Sequence, residues 1–339
     1  MIRVERIQSL VKKYYNQILS LKNVVGVGCG YKEVDNTETD DEALVVLVEE
    51  KLDKDELESH ELVPEQIENT DTDVVEVGEL ELLASRMERL RPAQPGVSIG
   101  HYRVSAGTFG AVVKDRQTKE PLILSNNHVL ANLSTGHDDR AKKGDPILQP
   151  GQHDKGERDR DVIGHLERFS PLHRKTEPAS SAVIQGVENL LNGVGDVVKF
   201  PYLIKFIRKN KTSNLVDCAV AKPVSEDVIS DKILEIGKVE GIKQPKVGMG
   251  VVKSGRTSGR TESKIKAVHA TVEVSITGNE KGVFNDQIIT KPFSKPGDSG
   301  SLILDHDRSA VGLLFAGSEK STVCNRISNV LDELKVEFI

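Results

Sequence analysis

The amino-acid sequence predicts a mostly β protein of 339 residues that begins with a small α/β module. From Gly107 onward, short apolar stretches alternate with turns rich in Gly, Pro and Asp, which is typical of an antiparallel β-barrel. The first 90 residues differ, because a helical pattern comes first and strand patterns follow it. Pro and Gly residues at 86–100 indicate a linker between the two parts.

The N-terminal module is predicted over residues 1–90. Residues 1–21 place apolar side chains at helical spacing with charged residues between them, which indicates an amphipathic helix. The Gly-x-Gly-x-Gly pattern at 26–30 lacks the lysine and following helix of a phosphate loop, so it predicts a closely packed strand. A regulatory domain, a pro-region that assists folding or inhibits, and a partner-binding module all fit this unit. Further strands are predicted at 43–48 and 72–78, and a partial helix at 53–66.

Two stretches interrupt the strand pattern of the larger part. Residues 134–161 are polar and predict a long surface loop, whose His and Asp residues lack the spacing of a metal site. Residues 180–210 carry apolar side chains near helical spacing and predict an insertion of one or two helices. The insertion would either pack on the first barrel or restrict access to its surface. We expect no metal and no cofactor.

Charge and cysteine content narrow the class of protein. The net charge of −6 gives no electrostatic reason to expect a nucleic-acid partner. The three cysteines, Cys29, Cys218 and Cys324, do not form a disulfide framework and indicate a reducing compartment. The sequence also lacks a signal-peptide pattern and an apolar segment long enough to span a bilayer. We therefore expect a cytoplasmic protein without a membrane partner, whereas the oligomeric state is left open.

The run Gly297-Asp298-Ser299-Gly300-Ser301 is the most informative motif. A serine hydroxyl becomes a nucleophile only when a base accepts its proton. Flanking glycines let the backbone turn tightly and bring N–H groups close to a substrate carbonyl. Taken alone, the same run also fits an ordinary turn, so its meaning depends on a base and an acid elsewhere.

Two upstream motifs provide them. Residues 122–131 read Leu-Ile-Leu-Ser-Asn-Asn-His-Val-Leu-Ala, so a strand pattern leads directly into His128. Residues 214–221 read Asn-Leu-Val-Asp-Cys-Ala-Val-Ala, with Asp217 among apolar residues. Singly, these would be a buried histidine and a strand carboxylate. The joint occurrence in the order His, Asp, Ser favours a catalytic set.

With these three motifs, residues 100–339 resemble the trypsin/chymotrypsin-like serine proteases. The Ser-Asn-Asn-His-Val-Leu-Ala run is similar to that of intracellular bacterial and plant narrow-leaf-type members. The resemblance implies two six-stranded antiparallel barrels with the catalytic cleft between them. It places the protease domain at 107–339, with 91–106 as a linker and first segment. A catalytically silent protein-binding scaffold on the same fold is the alternative.

The resemblance also assigns roles to residues of this chain. It implies a serine endopeptidase with a protein or peptide substrate and an acyl-enzyme intermediate. Ser299 would be the nucleophile, His128 the general base and Asp217 the residue that orients the imidazole. The backbone N–H groups of Gly297 and Ser299 would form the oxyanion hole. Asp298 would brace the turn or, as the family suggests, pair with a buried amine after cleavage, although no family-like Ile-Val-Gly-Gly activation site is found.

Substrate preference is the least determined property. In the family, the residue six positions before the serine lies at the base of the primary pocket, and here that residue is Phe293. Its identity argues against a preference for basic side chains. Phe293 and Leu314 would suit an apolar side chain, whereas Lys295 would attract an acidic one. The stretch 310–317 resembles the strand that pairs with substrate, which adds Phe315, Ala316 and Gly317 to the predicted pocket.

Overall fold

The computed structural model describes residues 2–34, 37–78, 85–104, 106–178, 181–197, 199–278 and 280–339. The chain divides into two compact units, Met1–Ala84 and Ser85–Ile339. The stretch 86–100, predicted as a linker, belongs to the larger unit, because its apolar residues Ala93, Val97 and Ile99 are fully buried in a core cluster. Within the described residues, no helix combines the length and apolar character needed to cross a membrane.

The smaller unit is a helix packed on a mixed sheet. The helix buries Ile7, Leu10 and Ile18 against Leu44 and Val46 of the sheet. The strand order is β1-β2-β4-β3, in which β2 and β4 are parallel. The partial helix predicted at 53–66 is limited to a 3₁₀ turn, Lys54–Glu56. The elements are α1 (Ile2–Leu19), β1 (Val24–Val34), β2 (Thr37–Val48), β3 (Gln66–Ile67) and β4 (Thr70–Glu76).

The larger unit opens with the strands of a first barrel and the short helix α2 (Asn127–Leu130). Side chains alternate along each strand, so that Ile99, Ile123 and Ile147 all face one interior. These strands are β5 (Ser98–His101), β6 (Gly107–Thr108), β7 (Ala111–Asp115), β8 (Pro121–Ser125), β9 (Pro146–Leu148) and β10 (Val162–Phe169).

The stretch 134–161, predicted as an exposed loop, is partly interior. It contains β9 and the buried polar side chains of Asp145, Gln149 and Asp161. These side chains are stable in the interior because each has a partner. Asp145 bonds His101, Gln149 accepts from the backbone N–H of Leu90, and Asp161 pairs with Arg160.

A helical insertion follows β10. Strands β11 (Thr176–Pro178) and β12 (Ile207–Lys209) form an antiparallel pair, and α3 (Ala182–Val197) lies between them along the chain. The sequence predicts one or two helices here, and the described part of the insertion contains one, α3. None of the residues of α3 is buried.

Strand β13 (Ala219–Pro223) completes the first barrel by pairing with both β8 and β10. The resulting order is β7-β8-β13-β10-β9-β5-β6. Only Phe109 and Gly110 separate β6 from β7, so the two form one bent strand that closes the sheet on itself. Over the residues that the structure describes, this is a six-stranded barrel when β6 and β7 are counted as one strand.

The second barrel is closed by β19, which pairs with β18 on one side and β20 on the other. The described strands therefore form the closed ring β15-β16-β17-β20-β19-β18, which is again a six-stranded barrel. This mostly β architecture confirms the predicted chymotrypsin-like two-barrel fold. The elements are β14 (Gly241–Ile242), β15 (Gly250–Gly255), β16 (Gly259–Thr277), β17 (Glu280–Thr290), β18 (Leu302–Leu304), β19 (Ser309–Ser318), β20 (Ser321–Arg326), α4 (Ile327–Leu334) and β21 (Val336–Phe338).

A buried histidine lies inside the first barrel. The His101 side chain is fully buried, and its Nε2 lies 3.1 Å from Oδ2 of Asp145. Its Nδ1 accepts the backbone N–H of Arg103 at 3.2 Å, so the proton of the neutral ring sits on Nε2. Burial lowers the pKa of His101, and the carboxylate of Asp145 offsets only part of that effect.

This arrangement predicts acid-sensitive stability. A histidine with a lowered pKa binds fewer protons in the folded than in the unfolded chain, so stability falls as pH drops through about 6.5. His101→Gln keeps a donor and an acceptor but does not titrate. We expect urea unfolding to show a smaller loss of stability in this variant than in the wild type from about pH 7.5 to about pH 5. His165→Gln, an exposed change on β10, is the control, and an equal loss in all three proteins would contradict the prediction.

Candidate active site

The three residues of the predicted catalytic set lie at strand ends of the larger unit. His128 is in α2, directly after β8, and Asp217 precedes β13 by one residue. Ser299 lies in the turn that leads into β18 of the second barrel. The first barrel therefore supplies the imidazole and the carboxylate, and the second supplies the hydroxyl.

His128 and Asp217 form a short, shielded pair. His128 Nδ1 lies 2.6 Å from Asp217 Oδ2, and Asp217 Oδ1 accepts the backbone N–H of His128 at 3.2 Å. The Asp217 side chain is 4% exposed and the His128 side chain 24%. Since the carboxylate accepts a hydrogen bond from Nδ1–H, Nε2 of the neutral ring is the basic nitrogen.

Two asparagines fix the backbone of Asp217. Asn126 donates from Nδ2 to the carbonyl of Asp217 at 2.8 Å, and Asn325 donates to the same oxygen at 3.0 Å. Asn325 also accepts the Asp217 backbone N–H at 3.0 Å. Because Asn325 belongs to β20, it ties the second barrel to the backbone of Asp217 in the first. Sequence reasoning missed Asn325, since 108 residues separate it from Asp217 and only the fold brings them together.

The turn that carries Ser299 is held by both barrels. The carbonyl of Ser299 accepts the backbone N–H of Thr108 in β6 at 2.7 Å, and Gly300 donates to the carbonyl of Leu314 in β19 at 2.8 Å. Gly297 and Gly300 have φ values of +99° and +97°, a region that favours glycine. A Cβ at Gly300 would also overlap the hydroxyl of Ser125 and the carbonyl of Thr108.

The hydroxyl of Ser299 makes a different contact from the one the predicted triad requires. Its Oγ donates to the backbone carbonyl of Phe315 at 3.4 Å, and no hydrogen bond joins it to His128 in the part of the chain that the structure describes. The backbone N–H groups of Gly297 and Ser299 have no acceptor among the described residues. Two such donors beside a serine can bind an oxyanion.

A buried ion pair lies beneath this turn. Asp298 and Lys253, the latter on β15, are both fully buried, and Lys253 Nζ lies 3.1 Å from Asp298 Oδ2. The carboxylate of Asp298 also accepts the backbone N–H groups of Thr257, Ser258 and Lys295 at 2.8–3.1 Å. Burial opposes the ionisation of Asp298, but the Lys253 charge and these donors outweigh it and lower its pKa. Burial lowers the pKa of Lys253, and Asp298 opposes that shift.

Lys253 is thus an amine partner for Asp298 that the chain supplies internally. The sequence left open whether Asp298 braces the turn or pairs with a buried amine after cleavage. In the structure Asp298 braces the turn, and its amine partner is a lysine side chain. Sequence reasoning missed Lys253 because a single charged residue in the strand pattern Val251–Ser254 does not indicate a partner. The signal that could have identified it is that a lysine in a central strand needs a buried anion.

An open cleft of about 630 Å³ lies beside His128 and Asp217. The aromatic rings of Phe284 and Phe315 meet in its wall with centroids 4.7 Å apart. Two polar residues of β16, Glu273 and Ser275, also line it. The other residues that line the cleft include Leu133, Leu172, Ala316, Gly317, Ser318 and Val323.

The structure changes part of the predicted pocket. Phe315, Ala316 and Gly317 line the cleft, whereas Leu314 and Phe293 lie in the core of the second barrel. Leu314 and Phe315 are adjacent on β19 and their side chains lie on opposite sides of the strand, so Leu314 packs in the core and Phe315 lines the cleft. Lys295 is exposed and does not line the cleft; its backbone N–H donates to Asp298 instead.

Two aspartates of the stretch 134–161 have structural partners. Asp138 accepts the hydroxyl of Ser134 at 2.6 Å, and Asp154 forms a buried ion pair with Arg256. In the described ranges, no group of three or more His, Cys, Asp or Glu residues could hold a metal ion.

No protein-family model matches the sequence, and no curated protein is significantly similar to it. Similar solved structures include a Nocardiopsis protease, at 15% identity and a TM-score of 0.45, covering 72% of this chain and 98% of that one. Protease A of Thermobifida fusca has 14% identity and a TM-score of 0.45, covering 73% and 99%. A glutamic acid-specific serine protease has 15% identity and a TM-score of 0.46, covering 73% and 100%. The chemistry of the site is therefore inferred from its own residues.

The buried ion pair yields a stability prediction. Lys253→Met leaves Asp298 charged, buried and without its counter-ion, which is expected to cost about 3–5 kcal/mol of unfolding free energy. Lys253→Met combined with Asp298→Asn removes both charges and should recover part of that loss. Lys243→Met, which removes the exposed partner of Asp305, should cost much less. Urea unfolding measures all three variants, and equal losses for Lys253→Met and Lys243→Met would contradict the prediction.

Proposed function

We propose that the protein is a serine endopeptidase that hydrolyses peptide bonds through Ser299, His128 and Asp217. The observation that carries the proposal is the 2.6 Å pair between His128 and Asp217, which lines a cleft, together with a serine turn whose Gly297 and Ser299 N–H groups have no acceptor among the described residues. A base with a fixed tautomer, a hydroxyl and two oxyanion donors are the parts that acyl transfer requires.

The first half of the reaction forms the acyl-enzyme. The hydroxyl of Ser299 rotates away from the Phe315 carbonyl, gives its proton to Nε2 of His128 and attacks the scissile carbonyl. The carboxylate of Asp217 stabilises the imidazolium that results. The N–H groups of Gly297 and Ser299 hydrogen-bond the oxyanion of the tetrahedral intermediate.

The second half releases the two products. His128 donates its Nε2 proton to the leaving amine when the tetrahedral intermediate collapses to the ester of Ser299. A water molecule then gives a proton to the same nitrogen and attacks the ester. His128 returns that proton to Ser299, which restores the hydroxyl and frees the carboxylic acid product.

The cleft favours a peptide with an apolar side chain near the scissile bond. Its wall combines Phe284 and Phe315 with Leu133 and Leu172. The exposed Lys295 is outside this lining, so the geometry gives no support to the acidic preference that its position suggested. Burial of an apolar side chain against such a wall contributes roughly 1.5–3 kcal/mol to binding.

One observation favours the alternative, a catalytically silent protein-binding scaffold. The Ser299 hydroxyl bonds the Phe315 carbonyl instead of His128. If that bond persisted on substrate binding, the serine would not be activated. The predicted regulatory or pro-region role of residues 1–90 and the cytoplasmic location stay predictions.

A fluorophosphonate probe separates the two functions, because it reacts only with an activated serine. We expect the full-length protein to be labelled and Ser299→Ala not to be labelled. The labelling rate of His128→Ala should fall roughly a thousandfold or more. Ser225→Ala, an exposed serine outside the cleft, should label like the wild type. Absence of labelling in a folded wild-type protein would contradict the protease proposal and favour the scaffold.

The oxyanion hole can be tested at Gly297. An alanine there has an unfavourable φ of +99° and a Cβ that overlaps Arg256 and Thr257, so the N–H at this position must move. We expect the labelling rate to fall roughly 100-fold or more. Gly248→Ala is a matched control, because it has a φ of +86° and no neighbour within 4 Å of its Cβ. An equal effect of both changes, with similar thermal unfolding, would show that backbone strain alone is responsible.

A further inference from the structure

The insertion between β11 and β12 is the most apolar surface of the described chain. Over half of the exposed large apolar side chains of the described residues lie between Val183 and Ile207. On α3, Val183, Leu190 and Val197 are 75%, 67% and 84% exposed, and they recur at the spacing of one helix face. We call residues 176–209 the finger.

In the finger, the polar side chains of Asn192 and Glu188 bond to the finger's own backbone, and large apolar side chains are exposed. Asn192 on α3 bonds both the N–H and the carbonyl of Ile204, at 2.8 and 2.9 Å. Glu188 accepts the N–H of Phe206 at 2.9 Å. These bonds hold the segment 200–206 against the helix while Tyr202 and Leu203, 71% and 83% exposed, face outward. The exposed apolar surface is therefore built by specific contacts.

The charge of the finger differs from that of the whole chain. Residues 176–209 carry a net charge of +1, whereas the chain carries a net charge of −6. The three acidic residues are Glu177, Glu188 and Asp196, and the four basic ones, Lys199, Lys205, Arg208 and Lys209, all lie in the second half of the finger. Lys199 and Lys205 flank the exposed tip formed by Phe200, Tyr202 and Leu203. The rings of Phe200 and Tyr202 pack edge to face with centroids 5.4 Å apart, which gives the tip a compact aromatic end.

We propose that the finger docks on an anionic phospholipid bilayer. Its aromatic and aliphatic tip would enter the interface between headgroups and acyl chains, and Lys199 and Lys205 would contact the anionic headgroups. A second copy fits less well, since face-to-face packing would bring two basic segments together. The sequence led us to expect no membrane partner because it lacks a membrane-spanning pattern. Docking at the bilayer surface needs no spanning helix, so it is compatible with that absence.

The base of the finger is continuous with the cleft. Leu172 lines the cleft, and the chain enters β11 four residues later. Between them, Arg174 pairs with Glu280 at 3.0 Å and donates to the carbonyl of Leu133, another cleft residue. Docking of the finger would therefore hold the cleft close to the bilayer, where a membrane-associated protein could reach it.

Vesicle flotation with the full-length protein tests the proposal. We expect binding to vesicles of phosphatidylcholine and phosphatidylserine, and at least about tenfold weaker binding to phosphatidylcholine alone or at high salt. Lys199→Gln with Lys205→Gln, and separately Tyr202→Ser with Leu203→Ser, should each lower partitioning into anionic vesicles about tenfold. Matched controls are Lys246→Gln with Lys320→Gln, and Ile242→Ser with Val247→Ser, which change exposed residues elsewhere in the larger unit.

Three results would overturn the proposal. The wild-type protein could fail to float with anionic vesicles, or the finger variants could bind as strongly as the wild type. The third is that the control variants lose binding as much as the finger variants do. Sedimentation velocity without lipid identifies the competing occupant, because a dimer that Tyr202→Ser with Leu203→Ser dissociates would assign the tip to a second copy. All substituted side chains are exposed, and thermal unfolding verifies that each variant remains folded.

Discussion

The buried contact between Lys253 and Asp298 determines how the serine turn is built. Two opposite charges in an apolar interior are favourable only when further hydrogen bonds satisfy them. The bonds to Asp298 come from Thr257, Ser258 and Lys295, and Lys253 donates to the carbonyl of Gly259 at 3.1 Å. Asp298 lies between Gly297 and Ser299, whose backbone N–H groups have no acceptor among the described residues. The same contact that stabilises the second barrel therefore also fixes the residue between the two N–H groups to which the proposed function assigns the oxyanion.

The two barrels meet at this turn through a small set of polar atoms. Thr108 of the first barrel donates its N–H to the carbonyl of Ser299 and its hydroxyl to the carbonyl of Gly297. Its own carbonyl accepts the hydroxyl of Ser125. Asn325 of the second barrel binds the backbone of Asp217 in the first. Each barrel thus fixes a reactive group that the other carries. The relative position of serine, imidazole and carboxylate depends on these reciprocal contacts more than on any single loop.

The sequence predicts the parts of the site that are local and misses those that depend on the fold. His128, Asp217 and Ser299 are recognisable because each stands in a short motif next to a strand. Asn325 and Lys253 have no such motif, and only barrel closure brings them to their partners. The misassignment of Leu314 has a similar cause, since the sequence locates a strand but a shift of one residue reverses the side that faces the cleft. The buried parts of 86–100 and 134–161 were missed because Pro, Gly and Asp at interior positions read as loop residues.

The finger shows why an exposed apolar surface can be a specific structure. In an insertion that merely packs on the barrel, the apolar face of α3 would be covered and its polar atoms would face water. Here Asn192 and Glu188 turn their polar atoms toward the chain's own backbone, and none of the described residues of α3 is buried. Exposed apolar area of this extent is unfavourable in water unless something covers it part of the time. The basic residues next to the tip, Lys199 and Lys205, make an anionic surface the covering that fits both properties at once.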